Sequence, residues 1–167
     1  MDALEELVNW RAVHDLSLRY ATGIDTRDWA LYRSCFSDTL PVDFSSFTHR
    51  PAPPGEVDAD EWVAMVRSTI EGFESTQHLI GNQIISFGSI EEDDARPDSG
   101  GYTAYIQAQH WMSRDRWYLI GGWYENGIRR VDGTWRISAV TLHQTWDAGD
   151  RSLLAEAARR MRGRSAG

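Results

Sequence analysis

His78, His110 and Asp25 are the side chains whose type and spacing suit proton transfer. Along a strand, side chains two apart share a face. The run Tyr102 to Met112 reads as a strand, and His110 falls on the side of Ala104, Ile106, Ala108 and Met112. Thr103, Gln107, Gln109 and Trp111 take the other side. His110 therefore projects from the apolar face, above small residues that leave room for a ligand or for a packed helix. In the run His78 to Phe87, His78 shares its face with Ile80, Asn82 and Ile84. Asp25 stands at the end of a helix whose apolar face must meet this sheet, so it can reach one of the imidazoles. A carboxylate bonded to a histidine fixes the ring's tautomer and raises its basicity, which makes a general base.

Each of these residues also has a plainer reading. An inward histidine can be a hydrogen-bonded core residue, and Asp25 can be the N-cap of a second helix. Two histidines and a carboxylate can form a metal triad, although no His-x-His or i,i+4 pair is present. His14, His49 and His143 have no comparable setting and read as structural or surface residues. Cys35 reads as a core filler.

The elements that must position these groups are legible from periodicity. Leu4, Val8, Ala12, Leu16, Tyr20 and Ile24 recur at every fourth position and mark a first helix. Gly23 suggests a break, with Asp25, Thr26 or Asp28 capping a second helix from Trp29 to Phe36. Leu40 to Phe47 alternates loosely as a short strand, and residues 51–55 form a Pro/Gly loop. Asp58 or Asp60 caps a third helix carrying Trp62, Met65, Val66 and Ile70. Four strands follow: His78–Phe87, Tyr102–Met112, Trp117–Arg130 and Thr134–Trp146. The acidic stretch Glu91–Gly101 separates the first two. Arg114-Asp115 and Val131-Asp132-Gly133 connect the later hairpins. A helix over Leu153–Met161 and a frayed tail from Arg162 to Gly167 complete the chain. Helices followed by a long antiparallel meander define an α+β fold. A curved sheet around those helices would enclose a pocket.

Composition narrows the chemistry. The 167 residues suit one domain, residues 1–167. The 17 basic residues are all arginine, so lysine Schiff-base and P-loop chemistry are absent. The net charge of −8 argues against nucleic-acid partners. One cysteine allows neither an internal disulfide nor a cysteine-rich zinc site. The N-terminal MDALEELVNWR is acidic where a signal peptide is basic, and no apolar run reaches the roughly 20 residues a membrane helix needs. A cytoplasmic protein without a membrane partner is expected. Eight tryptophans suit a cavity wall and a subunit interface.

Several stretches together are similar to one family. They are GIDTRDWALYRSCFSDTLPVDFSSF at 23–47, DADEWVAMV at 58–66, TQHLIGN at 76–82, QAQHW at 107–111 and RRVDGTWRI at 129–137. In this order and spacing, over about residues 10–147, the chain resembles the scytalone dehydratase group of the SnoaL-like, NTF2-like superfamily. The resemblance implies a conical barrel, in which a strongly bent, mostly antiparallel sheet and N-terminal helices enclose a deep apolar cavity. It also implies elimination of water from a β-hydroxy ketone, or a related enolate reaction, without metal or organic cofactor. The family's catalytic histidine falls on His78, its orienting aspartate on Asp25 and its second histidine on His110. Two tyrosines of the family, which hold a carbonyl-polarising water, are replaced here by Ile24 and Phe44. A serine and an asparagine are replaced by Gly122 and Tyr124. Tyr20 and Tyr124 are the phenols that can substitute for the missing donors.

The mechanism expected is that His78, oriented by Asp25, removes a proton α to a carbonyl. His110, with Tyr124, then protonates the departing hydroxyl or stabilises negative charge. Tyr20, Phe44, Phe47, Trp62, Met65, Trp123 and Tyr124 are the expected wall for an apolar, polyketide-like or terpenoid substrate. The alternatives are a cyclase or isomerase using the same pocket and a noncatalytic ligand-binding module. Epoxide hydrolysis of the limonene type is disfavoured for want of an Asp-Arg-Asp set. By analogy with the family the protein forms a trimer or dimer, with the tryptophan-rich outer face as the contact.

Overall fold

Helix α1 spans Ala3–Thr26 and starts at Asp2, whose side chain accepts the Glu5 backbone N–H at 2.8 Å. Glu5 and Glu6 in its first turn complement the positive end of the helix dipole. An every-fourth stripe drifts by about 40° per step around a 3.6-residue helix. That drift leaves Leu4 and Val8 exposed, while Asn9, Val13, Leu16, Tyr20 and Ile24 form the buried face. Gly23 does not break α1. A Cβ there would stand 2.8 Å from the Tyr32 backbone nitrogen, so glycine is what lets α2 (Trp29–Arg33) pack against α1. Asp28 caps α2 by accepting the Leu31 N–H at 2.9 Å, which leaves Asp25 free for another task. Helix α2 also ends earlier than expected, and Phe36 bridges to Ile137 instead.

The expected strand over Leu40–Phe47 is three separate pieces. These are β1 (Thr39–Leu40), β2 (Val42–Asp43) and a single helical turn, α3 (Ser45–Thr48). Asp43 Oδ1 accepts the Ser45 N–H at 2.8 Å, a local bond that turns the chain out of extended structure. Strand β3 (Val57–Asp58) pairs with β1 and leads into α4 (Ala59–Ile70). Asp58, rather than Asp60, caps α4, accepting N–H groups of Asp60 and Glu61 at 2.8 and 3.2 Å.

The computed structural model describes residues 2–53, 55–88 and 98–165. Pro54 of the expected loop and residues 91–97 of the acidic stretch lie outside the described residues. Ser99–Gly101, at the end of that stretch, already belong to a strand.

The main sheet contains β4 (Ser75–Phe87), β5 (Ser99–Ser113), β6 (Arg116–Val131) and β7 (Thr134–Gly149), in the order β2-β7-β6-β5-β4. All neighbours are antiparallel except β2 and β7, which run parallel. The Asp132-Gly133 turn has positive φ at both residues, 48° and 76°, the geometry that a tight hairpin asks for. Register shifts at Gly81/Ile84, Trp111/Ser113, Gly121/Gly122 and Gly127/Ile128 curve the sheet. At Gly122 a Cβ would stand 2.0 Å from the His143 carbonyl oxygen, so the bulge requires glycine.

The first of these bulges corrects the expected face of β4. Asn82 sits at φ 48° and inserts one extra residue, so Gln83, Ile85 and Phe87 turn inward. Ile84, expected beside His78, is 69% exposed. On β5 the expected alternation holds, with Tyr102, Ala104, Ile106, Ala108, His110 and Met112 all buried. Helix α1 packs on this face, α2 packs on α1 and α4 on α2, and their buried residues share the main core. Helix α5 (Ser152–Ser165) runs beyond the expected end at Met161, and Leu153 and Ala157 join Phe73 and Met112 in a second cluster. No helix among the described residues is long and apolar enough to cross a membrane.

Candidate active site

Asp25 lies in the last turn of α1, and His78 near the start of β4. Oδ1 of Asp25 accepts the His78 Nδ1–H at 2.7 Å, and Oδ2 accepts the His78 backbone N–H at 2.7 Å. The His78 side chain is 7% exposed. With the proton on Nδ1 committed to the carboxylate, the neutral ring carries its lone pair on Nε2, the state of a general base.

Two residues that the sequence reading did not single out hold the carboxylate. Thr76 Oγ1 donates to Asp25 Oδ1 at 2.9 Å, and Arg27 Nη1 donates to Thr76 Oγ1 at 2.8 Å. A guanidinium can only donate, so the single hydroxyl hydrogen of Thr76 must point to Asp25. Arg27 reaches back because it ends α1 in the left-handed region, φ 62°, with a further bond to the Ile24 carbonyl at 2.9 Å. Burial pulls the Asp25 pKa upward. The hydrogen bond and charge of His78, its backbone N–H and the Thr76 hydroxyl outweigh burial and hold the carboxyl below its usual value. Strand parity with His78 marks Thr76 as a neighbour; nothing in the local sequence marks the reach of Arg27.

His110 is 4% exposed and meets His78 edge to face, with ring centroids 5.7 Å apart. Its Nδ1 lies 3.3 Å from the Tyr118 carbonyl oxygen, which can only accept, so Nδ1 carries the hydrogen. Burial first, and the neighbouring His78 second, push its pKa down to about 3. His110 is thus neutral, with an acceptor at Nε2. The expected role as proton donor to a leaving group does not fit that state. An acceptor can instead hold a substrate hydroxyl.

Both histidines open on a cavity of about 260 Å³ between the sheet, α1, α3 and α4. Tyr20, Phe44, Phe47, Trp62, Met65 and Tyr124 line it, as expected from the sequence. Trp123 does not. The residue after it, Tyr124, takes the inward position, and Trp123 stacks on His143 at 3.8 Å between centroids on the opposite face. Tyr32, Ile120 and Leu142 also line the cavity without having been singled out by motif, as does Ile24, which stands where the resembling family has a tyrosine. The Tyr20 and Tyr124 hydroxyls bond each other at 3.1 Å, and burial raises both far above ordinary phenols. Cys35 is fully buried and its thiol is pushed up to about 11 by burial, which suits packing rather than reactivity. Among the described residues no three His, Cys, Asp or Glu side chains converge to hold a metal ion.

The Asp25–His78 pair thus stands beside a cavity walled by helices and a curved sheet, an architecture of the NTF2-like kind. The chain belongs to the SnoaL-like domain family, whose model matches residues 5–141. Among solved structures it is similar to the Kfla4162 protein from Kribbella flavida. That pair shows 25% identity, a TM-score of 0.76, and coverage of 92% of this chain and 99% of the other. A protein from Novosphingobium aromaticivorans, provisionally named a scytalone dehydratase, is 19% identical, with a TM-score of 0.73 and coverage of 90% and 93%. The hexachlorocyclohexane dehydrochlorinase LinA-type3 from Novosphingobium barchaimii is 17% identical, with a TM-score of 0.70 and coverage of 90% and 95%. No curated protein matches the chain.

Proposed function

We propose that this protein is a cofactor-independent lyase that eliminates water from a small, neutral hydroxy-carbonyl compound. The observation that carries the reading is the Asp25–His78 pair opening on a cavity lined by apolar, aromatic and uncharged polar side chains. His78 Nε2 takes the proton α to the carbonyl, and the electron pair left behind forms the new C=C bond as the C–O bond breaks. Asp25 stabilises the imidazolium while it exists. The departing hydroxide takes that same proton from His78, so water leaves and the base is restored. His110 accepts a hydrogen bond from the substrate hydroxyl and sets its position. Base catalysis of this kind contributes about 10²–10⁴-fold. The names of two structural neighbours, a dehydratase and a dehydrochlorinase, describe eliminations and agree with this chemistry.

One observation favours a second reading. With His110 neutral and hydrogen-bonded through Nδ1, His78, held by Asp25, is the imidazole placed to carry the proton. Return of the proton to a different carbon would make the same site an isomerase or, with ring closure, a cyclase. Incubation with a panel of neutral β-hydroxy ketones, followed by mass spectrometry, separates the readings. Loss of water, absent in Asp25→Asn and His78→Ala, is the result expected; a rearranged product of unchanged mass supports the isomerase. Turnover retained in both folded variants overturns the dyad. The exposed outer face bearing Leu79, Tyr105 and Trp146 supports self-association, which analytical sedimentation measures.

A further inference from the structure

Two buried polar atoms on residues of the cavity wall have no use in the scheme above. The hydroxyl of Tyr32 and the indole Nε1 of Trp62 are buried without a hydrogen-bond partner among the described residues. Their side chains, 0% and 5% exposed, both line the cavity that His78 and His110 open on. They are neighbours as well: Trp62, with Tyr124 and Tyr20, bears on the Tyr32 hydroxyl, although none closes a bond of proper geometry to it. The Tyr20 ring lies 5.2 Å from the Tyr32 ring and 5.7 Å from the Tyr124 ring, and Phe44 links Tyr124 to Trp62 at 6.4 and 5.1 Å. These rings form one continuous patch.

The hydrogens of this patch decide what it can hold. Indole N–H only donates. In the Tyr20–Tyr124 pair one hydroxyl hydrogen is spent on the partner, which leaves the other free. Tyr32 adds its own hydroxyl. The patch therefore offers an excess of donors, and a buried donor left unpaired is destabilising. Among the described residues no Arg, Asp or Glu side chain lines the cavity, so a carboxylate or phosphate would be buried there without a counter-charge. An uncharged acceptor oxygen satisfies the donors and carries no such penalty.

We propose that Tyr32 and Trp62 form a subsite for the carbonyl oxygen of the ligand, which rests on and deepens the functional reading above. Ile24 and Phe44, which stand where the resembling family has tyrosines, cannot supply such donors. Tyr32 and Trp62 lie elsewhere in sequence and take over the task from α2 and α4. A carbonyl held there gains polarisation at the moment its α-carbon loses a proton, because two donors stabilise the enolate oxygen more than the ketone.

The test uses binding rather than turnover. Acetophenone, ethylbenzene and benzoate have nearly one shape and differ in what they offer a donor patch. Calorimetric titration of the whole protein is expected to show acetophenone bound about tenfold or more tighter than ethylbenzene, with benzoate weakest. Infrared difference spectra of ¹³C=O-labelled acetophenone should show the carbonyl stretch lowered on binding. Tyr32→Phe and Trp62→Phe should each relax that shift and remove most of the preference. Equal binding of ketone and hydrocarbon, no ketone binding at millimolar concentration, or an unshifted stretch overturns the proposal. The wild-type comparison needs no variant to fold. A protein that holds the ketone in this way but never releases water from a hydroxy ketone refutes the lyase reading and leaves the subsite standing.

Discussion

Asp25 holds His78 at two points: one carboxylate oxygen takes the ring Nδ1–H and the other takes the backbone N–H, both at 2.7 Å. The two bonds fix the ring's tautomer and tie the end of α1 to the start of β4. Asp25→Asn keeps the size of the side chain but offers only one acceptor oxygen and no negative charge. Turnover of a hydroxy ketone should fall by about 10²–10⁴. Steady-state kinetics on protein with unchanged circular dichroism checks this, and an activity within threefold of wild type would count against it.

Thr76 and Arg27 are positioning residues, since neither lines the cavity. The Thr76 hydroxyl helps to hold the Asp25 carboxyl below its usual value. Thr76→Val removes that donor, so the Asp25 carboxyl should titrate at higher pH, while Thr76→Ser should restore the wild-type value. Because a carboxyl of depressed pKa stabilises the fold above its unfolded value and loses that contribution as pH falls through its folded value, the valine variant should lose it at a higher pH. Carboxyl ¹³C shifts followed from pH 7 downward read the change directly. A variant that merely loosened packing would leave the carboxyl titration where it was.

His110 gives the fold a dependence on acid. In the unfolded chain its ring takes up a proton near pH 6.5. In the folded protein, burial and His78 delay that uptake to about pH 3. Between these values the unfolded state binds more protons, so stability rises with pH and falls on acidification, by about 1.4 kcal/mol per pH unit. Urea denaturation at pH 7 and pH 5 should show this loss in the wild type and a markedly smaller one in His110→Gln. Equal losses in the two proteins would place the titrating group elsewhere.

The sequence carried the sheet because alternation is a short-range rule. Periodicity left open which imidazole Asp25 reaches, and only the family resemblance pointed to His78, 53 residues away. Alternation on β5 needs only a regular ladder, and it put His110 on the buried face as found. The same rule failed on β4 past Gly81, because one residue at positive φ, Asn82, reverses every face after it. Trp123 and Tyr124 are both among the expected wall residues, although alternation puts adjacent residues on opposite faces; the structure turns Trp123 outward and Tyr124 inward. The strand expected at Leu40–Phe47 holds only as far as Asp43, beyond which one aspartate–backbone bond turns the chain into a helical turn, which no periodicity records. The reach of Arg27 and the orphan donors of Tyr32 and Trp62 depend on tertiary contacts between α1, α2, α4 and β4, and these have no local signature.

Gly23 ties that tertiary arrangement to the site. In an isolated helix, glycine to alanine stabilises by about 1 kcal/mol. Here the new Cβ would stand 2.8–2.9 Å from the Tyr32 backbone nitrogen, Cα and Cβ, which belong to a helix rather than to a flexible side chain. Gly23→Ala must therefore push α2 away from α1, at a cost of about 1–3 kcal/mol that exceeds the gain in helix propensity. The displacement begins two residues before Asp25 and acts directly on Tyr32. The variant should unfold at lower temperature than wild type and also bind acetophenone more weakly. Differential scanning calorimetry and calorimetric titration measure the two effects on one sample. A higher melting temperature would show that the α1–α2 contact yields more easily than the fixed backbone of α2 allows.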